Sequence, residues 1–221
     1  MVAVPYRLAR NLMIAAGVLY CSLLLEAAAG FPLDVRTSFL SELGARDQAT
    51  SLYARAMDLS SSVLTLVAVL LVRQAARGRR LVAGLLISTA TFAVGTVFDS
   101  FSPMDCAPSA SVACQNSEGS GQAGAALVLH EATSTIAGAG TIAMGVFAVL
   151  ALWRGPWFSK VVASLSAGVV VTQVWLGSVV AYETLSGAEV VAPGILQRVS
   201  TVLFCVMLGT LLPGLRQALS R

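Results

Sequence analysis

Six long apolar stretches dominate the chain, at residues 11–30, 54–73, 81–100, 124–153, 161–182 and 195–213. Each is long enough to cross a hydrocarbon core of roughly 30 Å, which takes about 20 residues of α-helix. None can cross as an isolated strand, because a lipid-exposed sheet edge leaves backbone N–H and C=O groups without partners. The pattern therefore predicts an all-α membrane protein, a six-transmembrane-helix bundle forming one domain over residues 1–221. The charged fraction agrees: 11% of residues, against about 25% in soluble domains, is too little to clothe a surface in water. The first stretch, NLMIAAGVLYCSLLLEAAAG, is longer than the roughly 7–15-residue apolar core of a signal peptide and is read as a span.

Orientation follows from the basic residues. Arg7 and Arg10 precede the first span, Arg73, Arg77, Arg79 and Arg80 lie between the second and third, Arg154 and Lys160 flank the turn RGPWFSK, and Arg216 and Arg221 close the chain. The positive-inside rule puts these in the cytoplasm, with both termini. Connections 31–53, 101–123 and 183–194 are then extracytoplasmic, and the setting is a bacterial cytoplasmic membrane. The acidic residues, Glu118 and Glu189 among them, fall on the other side. The net charge of +3 follows from this asymmetry, so no nucleic-acid partner is inferred. Cys106 and Cys114 share the outer loop 101–123 with Pro108 between them and are expected to form a disulfide. Cys21 and Cys205 lie within spans and read as small apolar residues.

A charge inside a span costs on the order of 2.5–3.5 kcal/mol and usually faces the bundle interior or a wet cavity. Placement of such groups is therefore informative. Arg55 and Asp58 are three apart and share a helix face. Asp99 ends the third span; His130 and Glu131 open the fourth, where Ser134 shares a face with His130. Glu26, Gln173 and Arg198 sit near the same end of the first, fifth and sixth spans. One outward-opening pocket at headgroup depth is expected, with Asp58, Asp99 and His130 as catalytic acid/base groups. Arg55 and Arg198 would hold an anionic group, and Glu131, Glu26, Gln173 and Ser134 would bind the ligand. The plainer alternative is a set of packing ion pairs, Asp58 with Arg55 and Asp99 or Glu131 with Arg198.

Other features have structural readings. Glu42 is expected to face solvent or headgroups. Gly119, Gly121 and Gly124 would permit the outer loop to act as a lid. The small-residue runs STATFAVG, AGAGTIAMG and SLSAG favour close helix contact in lipid, and Pro213-Gly214 is expected to end the last helix. A single histidine excludes bis-histidine haem within one chain and suits a three-ligand zinc site poorly, so no metal is assigned and the cofactor is left open.

The segment RTSFLSELGARDQATSLYARAMDLSSSVLTLVA (36–68) carries Ser-Glu-Leu-Gly-Ala at Ser41 to Ala45. A Pro-x-Asp element follows at Pro103 to Asp105, before the histidine that opens the fourth span. In these features the chain resembles the bacterial membrane family known as domain of unknown function 998, over most of its length. The resemblance implies the six-helix architecture and points to Ser41, Glu42, Asp105 and His130, but supplies no reaction. This chain departs from the pattern by placing two cysteines and a Ser/Asn/Gly-rich insert between Asp105 and His130.

Three functions remain open. The first is a lipid- or isoprenoid-modifying enzyme, a hydrolase or an acid/base isomerase. The second is a non-enzymatic lipid- or cation-binding or accessory protein, working with membrane lipids, a partner membrane protein or a second copy of itself. The third is a transporter, disfavoured because the later spans carry no charge at mid-depth.

Overall fold

A backbone in hydrocarbon must satisfy its own hydrogen bonds, and this chain does so by helix throughout its apolar stretches. The computed structural model describes residues 3–119, 124–186 and 193–220. Gly121 and Glu189 lie outside the described residues, as do the side chains of Glu118 and Gly119, so the lid expectation falls largely outside them too.

The helices are α1 (Ala3–Tyr20), α2 (Ser22–Ala28), α3 (Ser51–Val72), α4 (Arg80–Ser100), α5 (Val112–Gly119), α6 (Ala125–Leu152), α7 (Trp157–Ser186) and α8 (Gly194–Leu219). Among the described residues there is no strand. The long helices form a closed ring in which α1 packs on α3, α3 on α4, α4 on α6, α6 on α7, α7 on α8, and α8 back on α1. Its centre is filled by Met13, Phe92, Met144, Phe204 and Met207, all buried. Tyr20, Phe92 and Phe204 meet edge to face there, with ring centroids 4.7–5.2 Å apart.

Small residues set the closest crossings. A Cβ on Gly95 would lie 2.7 Å from the backbone nitrogen of Ala137, and one on Gly140 would strike the backbone of Phe92. The α4–α6 contact is therefore backbone against backbone, and it is what aligns the polar ends of those two helices. Gly17 plays the same part against α8, where a Cβ would meet the Cys205 carbonyl oxygen at 2.6 Å.

Two expectations about spans change. Among the described residues five helices are long and apolar enough to cross a membrane alone; the first span qualifies only as a bent pair, Pro5–Tyr20 and Ser22–Ala28, at 44°. The break is at Cys21, whose ψ of 74° leaves the helical region. It turns α2 so that Glu26 points into protein. Second, Pro213 does not end the last helix, which runs on to Leu219. Proline costs one backbone bond there, but the helix is held from outside: Ser159 Oγ donates to the Gly214 carbonyl at 2.9 Å, and the Arg216 guanidinium lies 4.5 Å over the Tyr6 ring.

At the end opposite Arg73, Arg77, Arg79 and Arg80, loops 29–50 and 101–111 fold into a cap with its own apolar centre of Leu33, Leu40, Leu43, Ala45, Met104 and Ala107. The expected disulfide is present between Cys106 and Cys114, with Cα atoms 6.1 Å apart.

Candidate functional site

Asp99 sits in the last turn of α4, where the helix dipole disfavours a carboxylate, so it needs donors from elsewhere. The close α4–α6 crossing supplies them. His130, Thr133 and Ser134 stand at i, i+3 and i+4 on one face of α6. Thr133 Oγ1 and Ser134 Oγ donate to Asp99 Oδ1 at 2.7 and 2.8 Å. His130 Nδ1 lies 3.1 Å from the same oxygen, within ion-pair distance but outside the angle of a directed hydrogen bond. His130 is only 9% exposed, and the Ser102 backbone lies beside its ring.

Two more groups face this dyad. Asp58 of α3 is half-buried and within electrostatic reach of both Asp99 and His130. Among the described residues its carboxylate receives no hydrogen bond and no ion pair. Tyr20, the last residue of α1, comes within electrostatic reach of Asp58 and Asp99. Its hydroxyl likewise has no hydrogen bond among the described residues. Four helices thus bring two carboxylates, one imidazole, one phenol and two hydroxyls into one electrostatic neighbourhood, in which only Asp99, His130, Thr133 and Ser134 touch.

The arginines expected beside them are absent from it. Arg55 does not pair with Asp58; its Nε donates to the Ser100 carbonyl at 2.8 Å, closing the C-terminus of α4. Arg198 pairs with neither Asp99 nor Glu131. It grips Glu26 through Nε at 3.0 Å and through its second terminal nitrogen, and donates to the carbonyls of Val35, Ser38 and Gly194 at 3.0, 2.9 and 3.1 Å. Glu26, fully buried, is therefore a structural counter-ion. The reason is the bend at Cys21, which no span pattern records. Glu131 is exposed, one position past His130 and within electrostatic reach of its ring without bonding to it, and Gln173 is half-buried on α7, with no hydrogen bond among the described residues. Of the ligand-binding candidates, only Ser134 joins the cluster.

The family-pattern residues divide in the same way. Glu42 is not solvated: it is 2% exposed. One oxygen accepts the Phe39 N–H at 2.7 Å; the other accepts the Ser109 N–H and hydroxyl at 2.9 and 2.5 Å. Its carboxylate knits the Leu40–Gly44 turn to the second loop of the cap, a role that depends on a partner 67 positions away. Asp105 makes an exposed ion pair with Arg46 at 2.7 Å, and Ser41 is half-buried with no hydrogen bond among the described residues. His130 alone belongs to the cluster. Thr133 and Tyr20 were not anticipated. Thr133 stands three residues after the histidine, a spacing that signals it once His130 faces a partner. Tyr20 carries no signal, since it stands in the middle of the first apolar stretch.

Chemically the cluster is acidic, with one imidazole against two carboxylates. Among the described residues no three His, Cys, Asp or Glu side chains gather closely enough to hold a metal ion. The arrangement can accept hydrogen bonds from a cation or pass a proton between Asp99 and His130. Comparison with curated proteins and with solved structures finds no match. The model of the family described as protein of unknown function (DUF998) matches residues 13–212, and the chain belongs to that family.

Proposed function

We propose that this membrane protein binds the ammonium headgroup of a lipid at the Asp58–Asp99–His130 cluster, at the end of the bundle that the arginine distribution places outside the cytoplasm. The observation that carries the reading is the Asp58 carboxylate, half-buried and without a partner among the described residues, while every arginine expected near it is engaged elsewhere. A carboxylate withdrawn from water is costly unless something donates to it. A primary ammonium supplies both charge and N–H donors. Asp99 is already served by Thr133, Ser134 and His130, so Asp58 would take the cation and Tyr20 would flank it. Without a guanidinium, the cluster does not favour a phosphate as its primary contact. That removes the anion clamp from the lipid- or isoprenoid-modifying reading.

The test uses protein in nanodiscs that carry phosphatidylethanolamine, phosphatidylcholine or phosphatidylglycerol, with retained lipids counted by native mass spectrometry. Wild type should retain the ethanolamine lipid preferentially. A charge-assisted hydrogen bond contributes about 1.5–3 kcal/mol, so Asp58→Asn should weaken that retention roughly 10- to 100-fold. Unchanged retention in Asp58→Asn would overturn the reading. Reporters fused at Gly78 and Gly155 should score cytoplasmic and one at Gly119 extracytoplasmic.

A second reading rests on the His130–Asp99 contact, which can exchange a proton. A lipid product that forms with wild type, and disappears in His130→Ala while ethanolamine-lipid binding persists, would make the site a hydrolase or isomerase centre.

A further inference from the structure

The opposite end of the bundle carries a separate feature. One stripe of α7, formed by Trp157, Lys160, Val161, Ser164, Leu165 and Gly168, lines a groove of about 470 Å³ that Leu203 of α8 closes at its inner end. The spacing is i, i+3, i+4, i+7, i+8, i+11, a single helical face. Its outer rim is polar and basic: Lys160 and Arg154 are exposed, and Trp153 and Trp157 are 56% and 77% exposed. Tryptophan so placed marks the headgroup boundary. From Trp157 to Gly168 the helix rises about 16 Å, close to half of a hydrocarbon core of roughly 30 Å. The groove thus starts at headgroup level beside a lysine and ends near the middle of the bilayer.

We infer that this groove is a binding site for an anionic phospholipid of the arginine-side leaflet, its phosphate on Lys160 and one acyl chain lying along Val161, Leu165 and Gly168. The volume lies within the roughly 300–1,000 Å³ of small-molecule sites. Gly168 keeps the inner half open, since a Cβ there would meet only the Leu203 side chain, at 3.6 Å. Ser164 and Gly168 also form a small-xxx-small pair of the kind that docks helices. A second copy seated symmetrically on this face, however, would bring the two Lys160 ammonium groups together. Charge therefore favours an anionic lipid over a self-contact. The site is independent of the proposed ammonium site at the other end, and its anionic lipid is the opposite choice of headgroup.

The experiment uses the full chain reconstituted with phosphatidylglycerol or phosphatidylcholine, with tightly held lipids counted by native mass spectrometry. Wild type should hold phosphatidylglycerol at least several-fold better. Lys160→Gln should abolish that preference while leaving phosphatidylcholine retention as it was, and Arg77→Gln, an exposed arginine at the same end, should leave it intact. Gly168→Leu should reduce retention of both lipids; Gly168→Ala, a smaller change against Leu203, serves if the leucine variant fails to fold. Equal retention of the two lipids by wild type would overturn the inference. So would an equal effect of Arg77→Gln and Lys160→Gln, which would mean a diffuse basic belt. A wild-type dimer that Gly168→Leu converts to monomer would assign the groove to a second copy instead.

Discussion

Two charged clusters occupy the same end of this bundle and are built on opposite terms. At Glu26–Arg198 the inventory closes: each nitrogen of the guanidinium donates, to Glu26, to Ser38 Oγ at 3.1 Å or to backbone carbonyls, and both partners are buried. At Asp58–Asp99–His130 it stays open. Among the described residues, one carboxylate is crowded by donors while its neighbour has none, and the hydroxyl of a nearby phenol makes no hydrogen bond. A buried ion pair that meets all its bonding needs within the protein has nothing left to offer a ligand. It fastens α2, the 33–38 loop and α8 together. The open cluster holds chemical capacity that folding does not use.

The contrast can be broken at its structural side first. Removing one partner of a buried pair leaves an uncompensated charge and typically costs about 3–5 kcal/mol, so Arg198→Ala should show the largest loss of thermal stability in detergent. Glu26→Leu combined with Arg198→Met should recover part of it, because then no charge is left alone; no recovery would mean that the carbonyl contacts of Arg198 matter more than its ion pair.

A middle-sized effect is expected at the crossing that aligns the open cluster. Gly140→Leu must push α6 away from Phe92, and overpacking of this kind costs roughly 1–3 kcal/mol. Unfolding temperature should fall, and ethanolamine-lipid retention should fall with it, because His130, Thr133 and Ser134 move with α6. Retention that survives the shift would detach the ligand site from the Asp99 face.

The smallest stability effect should come from the residue given the largest functional one. Asp58→Asn removes a charge that no described group pairs with, so its stability should stay within about 0.5 kcal/mol of wild type or rise slightly. A loss as large as that of Arg198→Ala would place Asp58 among the structural charges and erase the distinction between the clusters.

Much of this arrangement was legible in the residues. The long apolar runs and the scarcity of charge specified helical spans, because only self-satisfied backbone survives in lipid, although the first of them is a bent pair. The spacing of Asp99, His130 and Ser134 put them at matching depth. Cys106 and Cys114, joined in the structure, lay close enough in one loop to be paired on sight. The arginines were the failure. Arg55 and Arg198 looked like ligand clamps beside carboxylates, yet each is drawn to backbone carbonyls contributed from more than 40 positions away. Glu42 looked solvated because its partner Ser109 belongs to another loop.

By itself, then, the sequence determined what each segment must be, since hydropathy and helical period act locally along the chain. Which charge would answer which was decided only in the tertiary structure. The bend at Cys21 carries Glu26 onto Arg198, and the glycine crossing of α4 and α6 carries two hydroxyl donors and an imidazole onto Asp99. Hydrogen bonds depend on distances of about 3 Å and on direction, and helix depth read from sequence leaves rotation about the helix axis undetermined.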